Sequence, residues 1–153
     1  GVDVVNPADC TEPGSSSSSQ MPLNVEQLRK KGCSTLVLQE GYHLFSSQAL
    51  LPPELCEIKG TTAAGKVTTI QLLKPLQFIC LNVTLHGMLK FEALAPTPCM
   101  QGTRSTINIH QDAFVDLRGC SSRTSGGAVS ARQVDVAGSL NCSEVSSRAE
   151  GGA

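Results

Sequence analysis

The chain has few aromatic side chains and few charges. It contains no tryptophan, one tyrosine and four phenylalanines, and charged residues make up 16% of it. The formal net charge is only −1, which provides no electrostatic footprint for nucleic acid or an acidic membrane, so no nucleic-acid partner is predicted. The shortage of aromatic residues argues against an aromatic-lined ligand pocket. With 14 glycines, the composition is typical of a β-rich chain with many turns rather than of a helical bundle.

A long hydrophobic run is also missing. The most apolar stretch, 70–85, is interrupted by polar residues and a proline, whereas a membrane helix needs about 18 or more apolar residues in succession. No membrane span is therefore predicted. The chain begins with Gly1 and has no signal-peptide pattern, so we interpret it as a processed chain or a fragment. Its 153 residues are expected to form one domain.

Cysteine, by contrast, is plentiful and evenly spaced. The interval between successive cysteines is nearly constant at about 22 residues, and a fixed period of this size is typical of a solenoid, in which each repeat stacks on the one before. No Cys-x-x-Cys motif is present, so zinc-ribbon and thioredoxin-like sites have little support. The cysteines are Cys10, Cys33, Cys56, Cys80, Cys99, Cys120 and Cys142.

The segments between the cysteines have the pattern of strands. They are short and rich in Val, Ile, Leu and Thr, most alternate apolar with polar residues, and Gly, Ser and Pro clusters separate them. Two or three such strands in each repeat of about 22 residues predict an all-β fold, a parallel β-helix solenoid of about five coils. Successive coils are expected to stack about 4.8 Å apart. The clearest strands are 35–38, 67–70, 81–85, 106–109 and 133–136.

A short helix is predicted before the first coil. Asn24 is a favourable N-cap, Gln27 occupies the capping-box position, and Gly32 follows a basic last turn as a C-terminal stop. Leu23 and Leu28 have the spacing of a hydrophobic staple. We therefore expect a helix that covers the first strands of the solenoid.

These elements divide the chain into three parts. The parts are an irregular N-terminal arm or linker (1–22), the capping helix (23–32) and the parallel β-helix (33–153). We expect the β-helix to continue beyond the chain end, because no helix, proline block or charged strand covers its last coil. Exposed strand edges recruit other strands, so the chain by itself is expected to associate or precipitate.

Two stretches resemble known β-helix proteins. The sequence LRKKGCSTLVLQEGYHL, at 28–44, resembles the start of pectin-lyase-like right-handed β-helices. Gly-Gly-Ala-Val at 126–129 recurs about one coil later as Gly-Gly-Ala at 151–153, and each copy follows a Cys-Ser pair. This pattern is similar to the Gly-Gly-Ala-Ile type repeats of polymorphic outer-membrane and other adhesin-like proteins. The resemblance implies that the solenoid is a right-handed parallel β-helix.

Stacked coils would bring successive cysteines together. A coil spacing of about 4.8 Å lies within the Cα range of a disulfide, so bridges between adjacent coils and a reduced internal stack are both open. We favour two or three bridges, with Cys10–Cys33 pinning the arm. Because seven is odd, at least one thiol must be free or paired with another chain. The predicted localisation is accordingly secreted, cell surface or another oxidising compartment.

No catalytic, cofactor-binding or metal-binding residue is predicted. His43, His86 and His110 are dispersed, with no convincing cluster of thiols or carboxylates at ligand spacing, and we expect them at solvent-facing strand or turn positions. No nucleophile elbow, phosphate loop or Cys-His pair has the required context. The expected cofactor complement is therefore none.

Three aspartates leave an enzymatic alternative open. Asp112, Asp116 and Asp135 are expected near one another across adjacent coils, like the paired carboxylates of β-helical glycosidases. The Asn-Thr-Asp, Asp-Asp and Gly-His-Gly signatures of such enzymes are missing. Polysaccharide cleavage is therefore kept only as the alternative to solvated surface acids.

Two tripeptides match the N-glycosylation sequon. They begin at Asn82 and Asn141, which are candidate glycosylation sites if the chain follows a secretory route. Strand alternation is expected to turn Leu81, Val83 and Leu85 inward and to leave Asn82 outside.

Two functions from different classes fit these features. The first is a non-catalytic structural or interaction module, scaffold or adhesin-like, within a larger secreted, surface or organelle assembly. Its expected partner is a protein, or further coils of the same polypeptide, at the C-terminal edge, with carbohydrate as another candidate. The alternative is a carbohydrate-active β-helix enzyme, a polysaccharide lyase or glycoside hydrolase. An enzyme needs clustered acidic or basic groups on one outer face, and a scaffold does not.

Overall fold

A computed structural model describes residues 9–17, 21–122, 127–144 and 146–147 of the chain. Within these residues the chain forms one short helix and fourteen strands. In chain order the elements are β1 (Asp9–Glu12), α1 (Val25–Lys31), β2 (Thr35–Leu38), β3 (Gly41–Phe45), β4 (Glu57–Lys59), β5 (Thr68–Leu72), β6 (Leu76–Gln77), β7 (Asn82–His86), β8 (Met88–Ala93), β9 (Met100–Ile109), β10 (Phe114–Arg118), β11 (Ser121–Ser122), β12 (Val129–Val136), β13 (Ser139–Ser143) and β14 (Ser146–Ser147).

The strands stack into three parallel sheets. The first sheet has the order β1-β2-β4-β7-β9-β12, with β6 also pairing with β9. The second has the order β3-β5-β8-β10-β13, and the third contains β11 and β14. The chain passes from the first sheet to the second and back, and each circuit is one coil. Because the second sheet holds five strands, one from each coil, the predicted all-β parallel solenoid of about five coils is confirmed.

The coils vary in length. In the second sheet, Gly41 is the register partner of Thr68 on the next coil, and Thr68 is the register partner of Leu89 on the coil after that. The coil from Gly41 to Thr68 is therefore longer than the coil from Thr68 to Leu89. The predicted period of about 22 residues is shorter than most of these coils. The cause lies in the turns between the two sheets, since β7 and β8 are joined by the single residue Gly87 and β4 and β5 by residues 60–67.

The core consists of inward-facing side chains that stack along the solenoid. Each lies in register with its counterparts on the coils before and after it, so apolar surface is buried continuously from coil to coil. One row of the first sheet contains Leu36, Ile58, Leu85, Ile109 and Val136. One row of the second sheet contains His43, Ile70, Phe91, Leu117 and Cys142.

The helix α1 begins and ends as the sequence predicts. The side-chain oxygen of Asn24 accepts a hydrogen bond from the backbone N–H of Gln27 at 3.2 Å. Gly32 ends the helix with a φ of 64°, a left-handed conformation that glycine adopts without steric cost. Leu28 is buried and Leu23 packs against the same core, so the helix closes part of it. With seven residues α1 is too short to cross a membrane, and no other helix in the described ranges qualifies.

The N-terminal arm differs from the irregular linker that we predict. Asp9–Glu12 forms β1 and pairs in parallel with β2, and Ser15 forms an isolated bridge with Tyr42 of β3. The physical reason is that β2 would otherwise present unpaired backbone groups at the edge of the first sheet. Residues 1–8 and 18–20 of the arm lie outside the described residues.

Three disulfides join neighbouring coils. Their Cα–Cα distances are 5.7, 5.5 and 5.4 Å, and Cys142 is free and exposed. The predicted Cys10–Cys33 bridge is present, and three bridges are consistent with an oxidising environment. The pairs are Cys10–Cys33, Cys56–Cys80 and Cys99–Cys120.

The last coil exposes side chains that earlier coils bury. Val134 and Val136 face inward on β12, yet they are 37% and 48% exposed, and Cys142 is exposed on β13. Among the described strands, none pairs with the outer edge of β12 or β13. Continuation of the β-helix past this coil and a partner at its edge both stay predictions. Of the Gly-Gly-Ala repeat, Gly126 and the whole second copy lie outside the described residues.

Candidate functional site

Two histidines meet at the corner between the first and second sheets. His86 is the last residue of β7, and His110 follows the last residue of β9. The residues before them, Leu85 and Ile109, are register partners, so the two histidines lie one coil apart at the same step of the solenoid. Their ring centroids are 4.5 Å apart and the ring planes are inclined by 39°.

Asp112, in the turn between β9 and β10, adds a carboxylate to this pair. Its Oδ1 is 2.9 Å from Nδ1 of His110 and 3.5 Å from Nδ1 of His86. One nitrogen or oxygen atom from each of the three side chains lies within 4.8 Å of the other two. We call these residues the His86–His110–Asp112 cluster. No other group of three potential metal ligands this close occurs in the part of the chain that the structure describes.

A second carboxylate approaches His86 from the preceding coil. Glu57 begins β4, and its Oε2 lies 3.3 Å from Nε2 of His86. Since Nδ1 of the same ring faces Asp112, His86 lies between two carboxylates on opposite edges of the imidazole. The His86 side chain is 18% exposed, whereas that of Asp112 is 47% exposed. The cluster is therefore anchored by a largely covered histidine and opens to solvent at the aspartate.

The electrostatics of the cluster favour a charged Asp112. Burial opposes the charge, but a hydrogen bond with His110, a hydrogen bond from the Gly87 backbone and the charges of both histidines outweigh it. Together they hold the pKa of the Asp112 carboxyl below its ordinary value. Asp112 is therefore an anionic carboxylate whose Oδ1 faces both imidazole rings.

The tight turn at Gly87 fixes this geometry. Gly87 has a φ of 77°, and a Cβ at this position would collide with the carbonyl oxygen of Gly60 on the preceding coil. Only glycine adopts this positive φ without strain and also has no Cβ to collide with the neighbouring coil. The one-residue turn therefore holds His86 beside the Asp112 turn of the next coil.

The expectation that His86 and His110 are dispersed, without a carboxylate at ligand spacing, is wrong. Their separation in the chain equals one coil at this point of the solenoid, because Leu85 and Ile109 are in register. That separation is the signal that sequence reasoning missed, and it has meaning only once the register is known. Glu57 was missed for the same reason, because it belongs to the coil before that of His86.

His43 is not solvent-facing, so the expectation for this histidine is also wrong. It is buried in β3, and its Nε2 lies 2.7 Å from the carbonyl oxygen of Gln39. Burial lowers the pKa of His43, while the hydrogen bond to Gln39 and the charge of Glu12 oppose this change. His43 is therefore a core residue that is best accommodated in its neutral form.

The three candidate aspartates do not come together as expected. Asp112 belongs to the histidine cluster, whereas Asp116 lies on β10 of the second sheet and Asp135 on β12 of the first. Asp116 contacts Arg118 at 3.2 Å and accepts a hydrogen bond from Asn141 at 3.3 Å. Asp135 accepts a hydrogen bond from a glutamine of its own strand. The three carboxylates therefore belong to a turn, to the second sheet and to the first sheet, and they do not form one acidic cluster.

Both sequon asparagines have exposed side chains. Asn82 lies on β7 with Val83 and Leu85 buried, as expected, but Leu81 is 61% exposed instead of facing inward. Leu81 precedes the first residue of β7, so strand alternation does not extend to it. Asn141, on β13, donates its hydrogen bond to Asp116. Use of either site stays a prediction.

The outer surface of the first sheet carries a straight polar row. Glu57, Thr84, Asn108 and Asp135 are register partners on β4, β7, β9 and β12. An open depression of about 530 Å³ lies along this row and reaches both His110 and the exposed Val136 of the last coil. The depression thus connects Thr84, Asn108 and Asp135 of the outer row with His110 and with the exposed residues of the last coil.

Comparisons of the chain with protein-family models, with curated proteins and with solved structures found no significant match. The strands and bridges define the class of the protein, a disulfide-linked parallel β-solenoid. The comparisons confirm neither the pectin-lyase-like resemblance nor the repeat family.

Proposed function

We propose that this chain is a structural or interaction module of a secreted or cell-surface protein. The observation that carries the proposal is the outer row of Glu57, Thr84, Asn108 and Asp135, which presents polar side chains in register on four consecutive strands. Such a row has a fixed spacing of about 4.8 Å per coil. A rigid, regular surface of this kind suits the binding of an extended partner rather than the enclosure of a small substrate.

The disulfides support the same proposal. Three bridges between neighbouring coils restrict the relative movement of those coils, and they stabilise a small domain outside the cell. The chain lacks the aromatic residues that line most ligand pockets, with only 3% Phe, Trp and Tyr. Rigidity with regular outer faces is what a scaffold requires.

The proposed interaction role is tested at the exposed edge of the last coil. Val134 and Val136 are exposed on β12, next to a strand edge that no described strand covers. Such an edge pairs readily with another strand, and in a pure sample a second copy of the chain is able to supply one. The wild-type chain is therefore expected to self-associate through its last coil.

Sedimentation velocity at increasing protein concentration measures this association. Val136→Lys places a charge at the edge and is expected to yield monomers. Val67→Lys is the matched control, because Val67 is 40% exposed in a turn away from the last coil, and this variant should associate like the wild type. A wild-type chain that stays monomeric, or a Val136→Lys variant that still associates, contradicts docking at this edge.

The enzymatic alternative is tested separately. We expect no turnover of pectate, alginate or related polysaccharides by the wild-type chain. Cleavage that is lost in Asp112→Asn or Asp116→Asn would overturn the proposed function in favour of a carbohydrate-active enzyme.

A further inference from the structure

The His86–His110–Asp112 cluster has the composition of a transition-metal site. Two imidazoles and one carboxylate are ligands that Zn²⁺ and its neighbours in the first transition row prefer, whereas Ca²⁺ and Mg²⁺ prefer oxygen alone. The three candidate donor atoms lie within 4.8 Å of one another. Since Zn–N and Zn–O bonds are about 2.0–2.2 Å long, small side-chain rotations bring all three atoms to one ion.

The backbone presents these ligands on a rigid frame. His86 and His110 follow register-paired residues of β7 and β9, and a hydrogen bond of 2.8 Å from the Ala113 N–H to the His110 carbonyl oxygen closes the turn that contains Asp112. Two of the three ligand positions are therefore fixed by adjacent parallel strands and the third by a tight turn. Such prior organisation lowers the entropic cost of binding an ion.

Glu57 occupies the position of a supporting residue. Metal-bound histidines commonly donate their second ring N–H to a carboxylate, which fixes the tautomer and the orientation of the ring. In His86, Nδ1 faces Asp112 while Nε2 lies 3.3 Å from Oε2 of Glu57. This arrangement is the one expected when Nδ1 binds the metal and Nε2–H donates to Glu57.

We propose that His86, His110 and Asp112 bind one divalent transition-metal ion, Zn²⁺ in the first instance, with Glu57 positioning His86. Three protein ligands leave a fourth position open in tetrahedral coordination. That position faces solvent, because the side chains of His110 and Asp112 are 43% and 47% exposed. The site is therefore able to accept water or a donor atom from a bound partner. This inference does not depend on the proposed scaffold function.

The test is isothermal titration calorimetry of the complete, oxidised and untagged chain with ZnCl₂. All proteins carry Cys142→Ser, because Cys142 is a free thiol and thiolates bind Zn²⁺. We expect one Zn²⁺ per chain, unaffected by excess MgCl₂. His86→Gln, His110→Gln and Asp112→Asn should each lower the affinity at least about tenfold. Asp116→Asn, a matched exchange of a carboxylate with other partners, should leave the affinity unchanged.

Glu57→Gln distinguishes a positioning residue from a ligand. We expect it to weaken binding by about 10- to 100-fold while the visible spectrum of the bound Co²⁺ analogue keeps its shape, because the three ligands are unchanged. Thermal unfolding without metal verifies that each variant folds. Absence of stoichiometric Zn²⁺ binding by the wild-type cluster, or binding that survives all three ligand exchanges, would overturn the proposal.

Discussion

His43 lies in a core row of the second sheet, where its register partner on β5 is Ile70. Because burial lowers its pKa in the folded chain, the unfolded state binds more protons at mildly acidic pH. The free energy of unfolding should therefore fall as the pH decreases from about 7 through the ordinary histidine pKa. Urea unfolding at a series of pH values measures this dependence. In the His43→Gln variant, position 43 cannot titrate, so the free energy of unfolding should depend less on pH.

The His43 comparison isolates one group among many that titrate. Glu12 is the charged residue that acts on His43, and it opposes the decrease of the pKa. Other groups affect both proteins equally, so the difference between the two pH profiles belongs to His43. Identical profiles for the wild type and His43→Gln would show that the neutral histidine is not required in the core.

Cys142 is the residue with an exposed thiol among seven cysteines. The neighbouring atoms that partly cover this thiol raise its pKa by desolvation, and the charge of Asp116 raises it further. Since the thiolate is the reactive form, alkylation by iodoacetamide near neutral pH should be slow and should accelerate with increasing pH. Asp116→Asn should speed the reaction. Peptide mapping without reduction should find Cys142 alone labelled, and additional labelled cysteines would contradict the three bridges.

At the scale of single elements, α1 begins at the N-cap residue that the sequence predicts, Asn24. The hydrogen bond from the Gln27 N–H to Asn24 satisfies a backbone donor at the start of the helix. Asn24→Ala should lower the free energy of unfolding by about 1 kcal/mol, measured by denaturant titration, and Asn24→Ser should restore most of it. An unchanged midpoint in Asn24→Ala would mean that packing of Leu28 alone fixes the helix.

The strands were harder to predict than the helix. Alternation of apolar and polar residues marks β7 and β9 in the sequence, and burial alternates along much of both strands. The segment 67–70 is likewise predicted as a strand, but β5 is buried on both faces although its sequence includes threonine and glutamine. Its outward residues Thr69 and Gln71 are covered by the structure around them, and Gln71 donates a hydrogen bond to Glu92 of the next coil at 3.0 Å. Burial on the outer face depends on neighbouring coils, so a pattern within one segment does not reveal it.

At the scale of the whole molecule, the disulfides join coils that also associate through strand pairing, core contacts and side-chain hydrogen bonds such as that from Gln71 to Glu92. Removing the central bridge by Cys56→Ala together with Cys80→Ala should lower the free energy of unfolding by about 3 kcal/mol, because a loop of 24 residues is no longer closed in the unfolded chain. Denaturant titration measures the difference. Cys142→Ser is the control and should change the stability by less than about 0.5 kcal/mol. Equal midpoints for the double variant and the control would contradict a stabilising role for the bridge.

The sequence by itself determined the class of fold and its local signals. The even cysteine spacing, the short strand segments and the glycine-rich turns predict a parallel solenoid, and Asn24 and Gly32 predict the bounds of α1. The sequence reveals these features because each depends on residues that lie close together in the chain, or on a repeat that stays recognisable although its length varies. The same repeat left bridges and a reduced stack of cysteines both open, and the favoured Cys10–Cys33 bridge is the one that the structure contains.

Only the tertiary structure decided which side chains meet between coils. The connections between the first two sheets range from one residue at Gly87 to eleven at 46–56, and every change in connection length alters which residues of neighbouring coils stand in register. The contacts of His86 with Glu57, His110 and Asp112 depend on that register. So do the burial of His43 and the separation of Asp116 from Asp135. Since strand pairing and core packing of all coils set the register together, no single segment of the sequence contains it.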